Sequence, residues 1–243
     1  MRMLTFATRN TKEILRDPIN LFFGLGFPMV LILLLSAIQA NIPVSLFEIA
    51  HLAPGITVFG LSFMTLFSAT IISKDRSTSL LQRLYTTPMT PVDFILGYTL
   101  PIIPLSLAQS IVCYITAILL GLDITVNIIF AIIFLIPVSL FYIALGLLCG
   151  SVFNDKQVGG ICGALLTNLS AWLSGVWFDL DLVGGTFKKI AYFFPFVHAV
   201  DLERAVLQGD LSGVLPHLLW VLSYSVILLI SAVLLFLRQM NKE

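Results

Sequence analysis

The sequence predicts an all-α, polytopic membrane protein with six transmembrane helices, forming a single transmembrane domain over residues 1–243. Three observations carry that prediction. The chain is 58% hydrophobic and only 11% charged, with a mean hydropathy of +1.03; a soluble domain carries about 25% charged residues. Six runs, near 19–40, 54–73, 94–120, 127–150, 158–178 and 215–237, contain none of the 13 Lys/Arg or 13 Asp/Glu. Each run can cross a hydrocarbon core of about 30 Å at roughly 1.5 Å of helix rise per residue. The basic residues are also lopsided. Arg2, Arg9, Lys12, Arg16, Lys74, Arg76, Arg83, Lys156, Arg238 and Lys242 fall on one side of the six runs, and Lys188, Lys189 and Arg204 on the other. By the positive-inside rule both termini are predicted to be cytoplasmic.

Residues 1–17 place Leu4, Ala7, Thr11, Ile14 and Leu15 on one helical face, with Arg2, Arg9, Lys12, Glu13 and Arg16 largely elsewhere. This predicts an interfacial helix lying on the cytoplasmic membrane surface, ended by Asp17-Pro18. The first run begins too late and extends too far for a cleaved signal peptide. Gly24, Gly26 and Pro28 predict that its cytoplasmic half is bent. In the loop 41–53, His51 reads as incidental. The second run carries Phe59, Phe63 and Phe67 at i, i+4 and i+8, an aromatic helix face. Two readings stay open for it: packing or lipid contact, and the wall of an apolar substrate cavity.

Between the second and third runs lies KDRSTSLLQRLYTTPMTP, Lys74 to Pro91. Leu80, Leu81, Leu84 and Tyr85 recur at helical spacing among Lys74, Asp75, Arg76 and Arg83, which predicts a short amphipathic cytoplasmic helix. Ser77, Thr78 and Ser79 are N-cap candidates, and Thr87-Pro88 and Thr90-Pro91 stop the helix. A solvated, basic, half-apolar helix between two spans is a handle for another protein.

Pro101 and Pro104 predict a kink in the third span, and Ser106, Gln109, Ser110 and Thr116 predict an inward polar face. Gln109 and, in the fifth span, Asn168 are candidates for interhelical contact or for the substrate cavity. The fourth span ends in Gly146-x-x-x-Gly150 and the fifth begins with Gly159-x-x-x-Gly163. Small residues four apart let helices approach closely, so these predict packing within the 4–5 hairpin or at a subunit interface. The outer loop 179–214 is too apolar to be free; Phe187 to Phe194 and Val197 to Leu207 read as two short helices broken at Pro195, lying on or dipping into the outer face. The last span carries His217 near its outer end.

Enzyme chemistry is missing from the pattern. No lysine follows a glycine, so there is no P-loop phosphate cradle, and there is no HExxH, GxSxG or clustered metal-ligand motif. No catalytic residue and no metal site are predicted. Cys113, Cys149 and Cys162 read as buried free thiols. Ion-driven carriers keep ionisable groups inside their spans, because a central charge costs on the order of 3 kcal/mol and is retained only for work. Here His217 is the one such group near neutrality, and no internal repeat is visible. Energy for any transport is therefore expected to enter from outside the chain, through the 74–91 loop.

The order of elements resembles the permease subunit of ABC-2 type ABC transporters. The stretch KDRSTSLLQRLYTTPMTPVDFILGY, Lys74 to Tyr98, is similar to that family's charged-residue, small-residue, Leu-x-x-Leu, Thr-Pro, Leu-Gly pattern. YFFPFVHAVDLERAVL, Tyr192 to Leu207, is similar to its segment before the last span. Ser77 and Ser79 stand where many members carry glycine, which blurs the register. The resemblance implies a permease homodimer or heterodimer working with two separate ABC ATPase subunits that bind ATP and Mg; this chain itself would need no cofactor and would bind no nucleic acid. It further implies a coupling helix after span 2, with Asp75, Arg76, Arg83, Leu84 and Tyr85 as the expected ATPase contacts. Export by alternating access across the cell membrane is the implied activity, and the aromatic face favours a hydrophobic or amphipathic cargo such as a drug, antibiotic, lipid or peptide. The rival readings are a stand-alone secondary carrier and a non-transport membrane scaffold or immunity protein.

Overall fold

In the computed structural model, residues 2–42, 47–78, 80–87 and 89–240 are described, and they fold as helices joined by short turns. The helix α1 is Arg2–Leu15, followed by α2, Pro18–Gln39, with a π turn over Phe22–Gly26. Next come α3, Ile49–Ser77, the short α4, Leu80–Tyr85, and α5, Pro91–Leu119, broken by a turn at Leu100 and Pro101. Then follow α6, Asn127–Val152, and α7 over 155–173, wound as a π helix across Gly159–Leu166. Finally α8 is Leu180–Val183, α9 Gly185–Phe193, α10 Pro195–Gln208 and α11 Leu211–Met240.

Local chemistry sets several of these ends. Asp17 accepts from the Asn20 backbone N–H ahead of Pro18, which holds the elbow between α1 and α2. Thr90 and Asp93 form a capping box with Pro91 at the first helical position, so α5 begins three residues before its apolar run. Asn154 and Gln157 do the same for α7. Gly209, at φ +76°, ends α10 in the left-handed conformation that favours glycine.

The centre of the bundle is α3. In its most apolar window 89% of residues are buried, against 22% in α2 and 17% in α11. Two devices bring α6 against α3. A Cβ on Gly146 would lie 2.4 Å from the Thr65 carbonyl oxygen, and one on Gly150 would lie 2.7 Å from that of Ala69. The Thr65 and Ser68 hydroxyls then donate to the Tyr142 and Ile143 carbonyls at 2.9 and 3.0 Å. The small-residue motif of span 4 thus packs against span 2, a correction to its expected place in the 4–5 hairpin or at a subunit interface. Gly163 meets only the Leu66 side chain, and Gly159 faces open space.

Among the described residues five helices are long and apolar enough to cross a membrane: α2, α3, α5, α6 and α11. The predicted fifth run is helical over 155–173 but opens with Asp155, Lys156 and Gln157 and stops at a turn where Gly175 has φ +68°. Its apolar stretch is therefore short. The protein is a multi-pass membrane protein. At the end of the bundle away from α1, α10 is embedded rather than laid on the surface: Phe196, Val200, Leu202 and Val206 are buried in the core that α6 and α11 share.

Candidate coupling surface

The helix α4 spans six residues, too few to be stable alone, so its position depends on what it leans against. It follows directly on the root of α3 and faces α1 across a groove, and α1 is itself docked on α5. The Phe6 ring fills the notch left by Gly97, where a Cβ would come within 2.3 Å. It also meets Tyr98 and Phe94 edge-on at 4.9 and 6.0 Å between centroids. Below it, the buried Asn10 amide donates to the Gly97 carbonyl at 3.0 Å. The buried face of α1 is Phe6, Ala7, Asn10 and Ile14, while Leu4 and Leu15 are exposed. The helix is therefore packed on protein along one face, which keeps Ala7 and Ile14 of the expected apolar stripe and adds Phe6, which fills the Gly97 notch, and Asn10, which bonds its carbonyl.

Between α1 and α4 lies a groove of about 500 Å³, walled by Thr5, Phe6, Arg9, Leu80, Leu84 and Thr87. Arg83 stands exposed on α4 with no partner among the described residues. Leu84 and Arg83 thus present an apolar and a cationic group to whatever approaches this end. The side chain of Tyr85, and the cap candidate Ser79, lie outside the described residues.

Asp75 and Arg76 do something different from what the spacing suggested. Helix α3 continues through both to Ser77, so they belong to the root of the second span, and Ser77 and Thr78 bond back to the Lys74 carbonyl. Asp75 is 1% exposed and accepts from Arg9 Nη1 at 2.7 Å and from the Tyr98 hydroxyl at 3.0 Å. Arg76 donates to the Ser151 and Phe153 carbonyls at the end of α6, where a cation complements the helix dipole. Both residues staple the base of α4 to its neighbours, Asp75 buried and Arg76 half-buried.

The aromatic face of α3 is occupied by the chain itself. Phe59 meets Trp177 at 5.7 Å, Phe63 meets Phe27 at 5.7 Å, and Phe67 lies against Gly24, where a Cβ would fall 2.6 Å from its ring. All three are 4–7% exposed, and each is packed against the chain itself in this structure. Gln109 is fully buried and donates to the Thr57 carbonyl at 3.1 Å, an interhelical tie. Asn168 is exposed on α7 and bonds back to Ala164. An apolar cleft of about 360 Å³ does exist elsewhere, between α6, α7, α10 and α11, lined by Phe141, Leu145, Leu169, Leu173, Phe194 and Leu228 among others.

The far end holds groups that sequence reasoning passed over. His198 bonds the Tyr192 carbonyl through Nε2 at 3.0 Å and meets His217 Nδ1 at 2.9 Å, and its ring stacks on Trp220 at 4.9 Å. Burial holds its pKa below the usual imidazole range. Glu203 is fully buried and accepts from the Tyr114 hydroxyl at 3.1 Å. A signal for it was present: Glu203 falls three residues after Val200 and three before Val206, inside the apolar stripe of α10.

No curated protein matches the chain. The family model described as ABC-2 type transporter matches residues 2–207, from α1 through α10; the chain belongs to the ABC-2 type transporter family.

Proposed function

We propose that this chain is the permease subunit of an ATP-driven exporter, carrying a hydrophobic or amphipathic substrate (drug, antibiotic, lipid or peptide) out across the cell membrane by alternating access. The α1 end faces the cytoplasm, the α10 end faces outward, and α7 completes six crossings. A separate ABC ATPase binds ATP and Mg and docks on α4, and two permease chains pair in the working complex. The observation that carries this reading is the apolar groove between α1 and α4, which has Arg9 in its lining, together with the exposed Arg83 on α4. Apolar grooves edged by charge are the anatomy of a protein docking site. Force applied to α4 has two routes into the bundle: through Asp75 to α1 and α5, and through Arg76 to the end of α6. The cleft lined by Phe141, Leu145 and Leu169 favours an apolar cargo, in place of the packed Phe59, Phe63 and Phe67.

The test is co-purification in mild detergent with a P-loop ATPase, comparing wild type with Arg83→Glu/Leu84→Asp. The double variant puts two negative charges at the groove, and recovery of the ATPase is expected to drop at least about tenfold, a loss of ~1.4 kcal/mol, with insertion unchanged. Equal recovery of the ATPase with both chains removes α4 from the docking role.

A further inference from the structure

Glu203 is an acid in an unusual position. It sits on α10 with 0% exposure, among Phe196, Val200, Leu202 and Val206. Its Oε2 accepts from Tyr114 of α5 at 3.1 Å, and its Oε1 has no partner among the described residues. The next residue, Arg204, could have neutralised it but is directed elsewhere, to the Gly175 carbonyl at 3.2 Å and to Asp201 at 3.7 Å. A carboxylate with no counter-charge is too costly to bury, and such a group takes up a proton instead. The site has no exposure to solvent, which leaves the proton as the ligand that fits it.

We propose that Glu203 and Tyr114 form a proton-binding site that keeps α10 embedded while the carboxyl is neutral, so that moving α10 out of the bundle releases a proton. The inference does not depend on the ATPase or on the direction of transport. The surroundings agree. Burial pushes the Glu203 carboxyl well above the usual carboxylate range, and the Tyr114 hydroxyl opposes that shift only in part. The other titratable and charged groups around α10 face one another or the polar pocket rather than Glu203, Tyr192 of α9 donating to Asp201. On α10 itself, His198 meets His217 of α11, and Asp201 pairs with Arg204. From α3, His51 lies in the polar pocket beside Asp201 and Arg204; from α6, Tyr142 bonds Ser170. Beside Tyr114 on α5, Cys113 is bonded to Gln109.

The sign of the linkage follows. A neutral acid in the folded state binds its proton more tightly than the unfolded chain does. Its stabilising contribution is complete below the ordinary glutamate range, near about 4.3, and declines as pH rises through the folded-state pKa. His198 is held below the ordinary imidazole range, and comparison with Glu203→Gln subtracts every other group that titrates between pH 7 and 9.

Two measurements on the full chain in detergent or nanodiscs test the site. The first is the infrared difference spectrum of wild type minus Glu203→Gln at pH 7. A protonated carboxyl band is expected; a carboxylate band instead overturns the proposal. The second is hydrogen exchange of residues 195–208, corrected for intrinsic rates, from pH 7 to 9. Protection in wild type is expected to fall with pH, while Glu203→Gln, which keeps an acceptor for Tyr114, stays flat and melts about 2–4 °C higher at pH 9. Equal pH dependence in the two chains overturns it. Should Glu203→Gln fail to fold, Tyr114→Phe serves: it removes the one bond that favours the ionised form, so the carboxyl titration moves up. Movement downward or none at all removes Tyr114 from the site.

Discussion

The two ends of this bundle each bury an acid, and they do so in opposite ways. Near α1, Asp75 is 1% exposed and has two donors, Arg9 at 2.7 Å and Tyr98 at 3.0 Å. Near α10, Glu203 is fully buried and has one donor, Tyr114 at 3.1 Å, and no cation. Both acids are held by a tyrosine of α5, so the difference lies in the arginine. Asp75 is paired with Arg9, a counter-charge whose other flank reaches solvent and Glu13. Its job is to fix geometry: three elements meet on one carboxylate at the root of α4. Glu203 can stay buried only by changing charge, which makes it responsive where Asp75 is rigid. In this fold the rigid acid sits where force is proposed to enter, and the responsive acid sits on the helix embedded at the opposite end.

Breaking the arginine contact should have the largest effect on that contrast. Arg9→Met leaves Asp75 buried with Tyr98 alone and turns it into a second Glu203. Removing one partner of a buried pair costs about 3–5 kcal/mol; here about 2–3 kcal/mol is expected, because Arg9 is itself 39% exposed and Tyr98 still donates. Chemical denaturation of the purified chain measures it, and a loss under ~0.5 kcal/mol would mean that Asp75 does not depend on its counter-charge. The matched neutralisations sharpen the comparison at a smaller scale. Asp75→Asn discards the ion pair and should destabilise by about 1–2 kcal/mol. Glu203→Gln discards nothing charged and should be neutral at low pH and stabilising at pH 9. Destabilisation of the same size in both variants would erase the distinction between the two ends.

Much of the fold was legible because a membrane makes apolarity a strong signal. Five of the charge-free runs correspond to the long apolar helices α2, α3, α5, α6 and α11, the fifth run overlaps the shorter α7, and the Leu80–Leu84 spacing corresponds to α4. The start of α5 was placed late because Asp93 was counted as a charge that ends a span, when it serves as the capping-box partner of Thr90. The candidate site was half legible. Periodicity gave Leu84 and Arg83 their face, but nothing local could show that Asp75 meets a residue 66 positions earlier, or that Arg76 reaches a carbonyl 75 positions later. The phenylalanines of α3 teach the same lesson. Their spacing defines one face of a helix, and only the fold supplies Phe23, Phe27 and Trp177 to cover it. Glu203 was counted among the charges of an outer loop, although its neighbours at i±3 mark a buried face.

The smallest effect expected is that of Tyr98→Phe, and it tests whether the two tyrosines are equivalent. Tyr98 is fully buried, and its ring is held edge-on by Phe6, so phenylalanine keeps the packing and deletes only the hydroxyl. Asp75 then loses one of two donors but keeps Arg9. A hydrogen bond to a charged group contributes about 1.5–3 kcal/mol in general; with the ion pair intact, about 1 kcal/mol should be lost, equally at pH 7 and pH 9. Tyr114→Phe is different in kind, because it removes the sole donor of an acid that has no counter-charge. Its cost should shrink toward low pH, where Glu203 is neutral and asks least of a donor. Thermal unfolding of the two variants across that range distinguishes them. A flat profile for Tyr98→Phe beside a pH-dependent one for Tyr114→Phe assigns the pairing of charge to one end of α5 and the exchange of a proton to the other. Parallel profiles would mean that the arginine, present at one end and absent at the other, makes no difference to how this protein holds a buried acid.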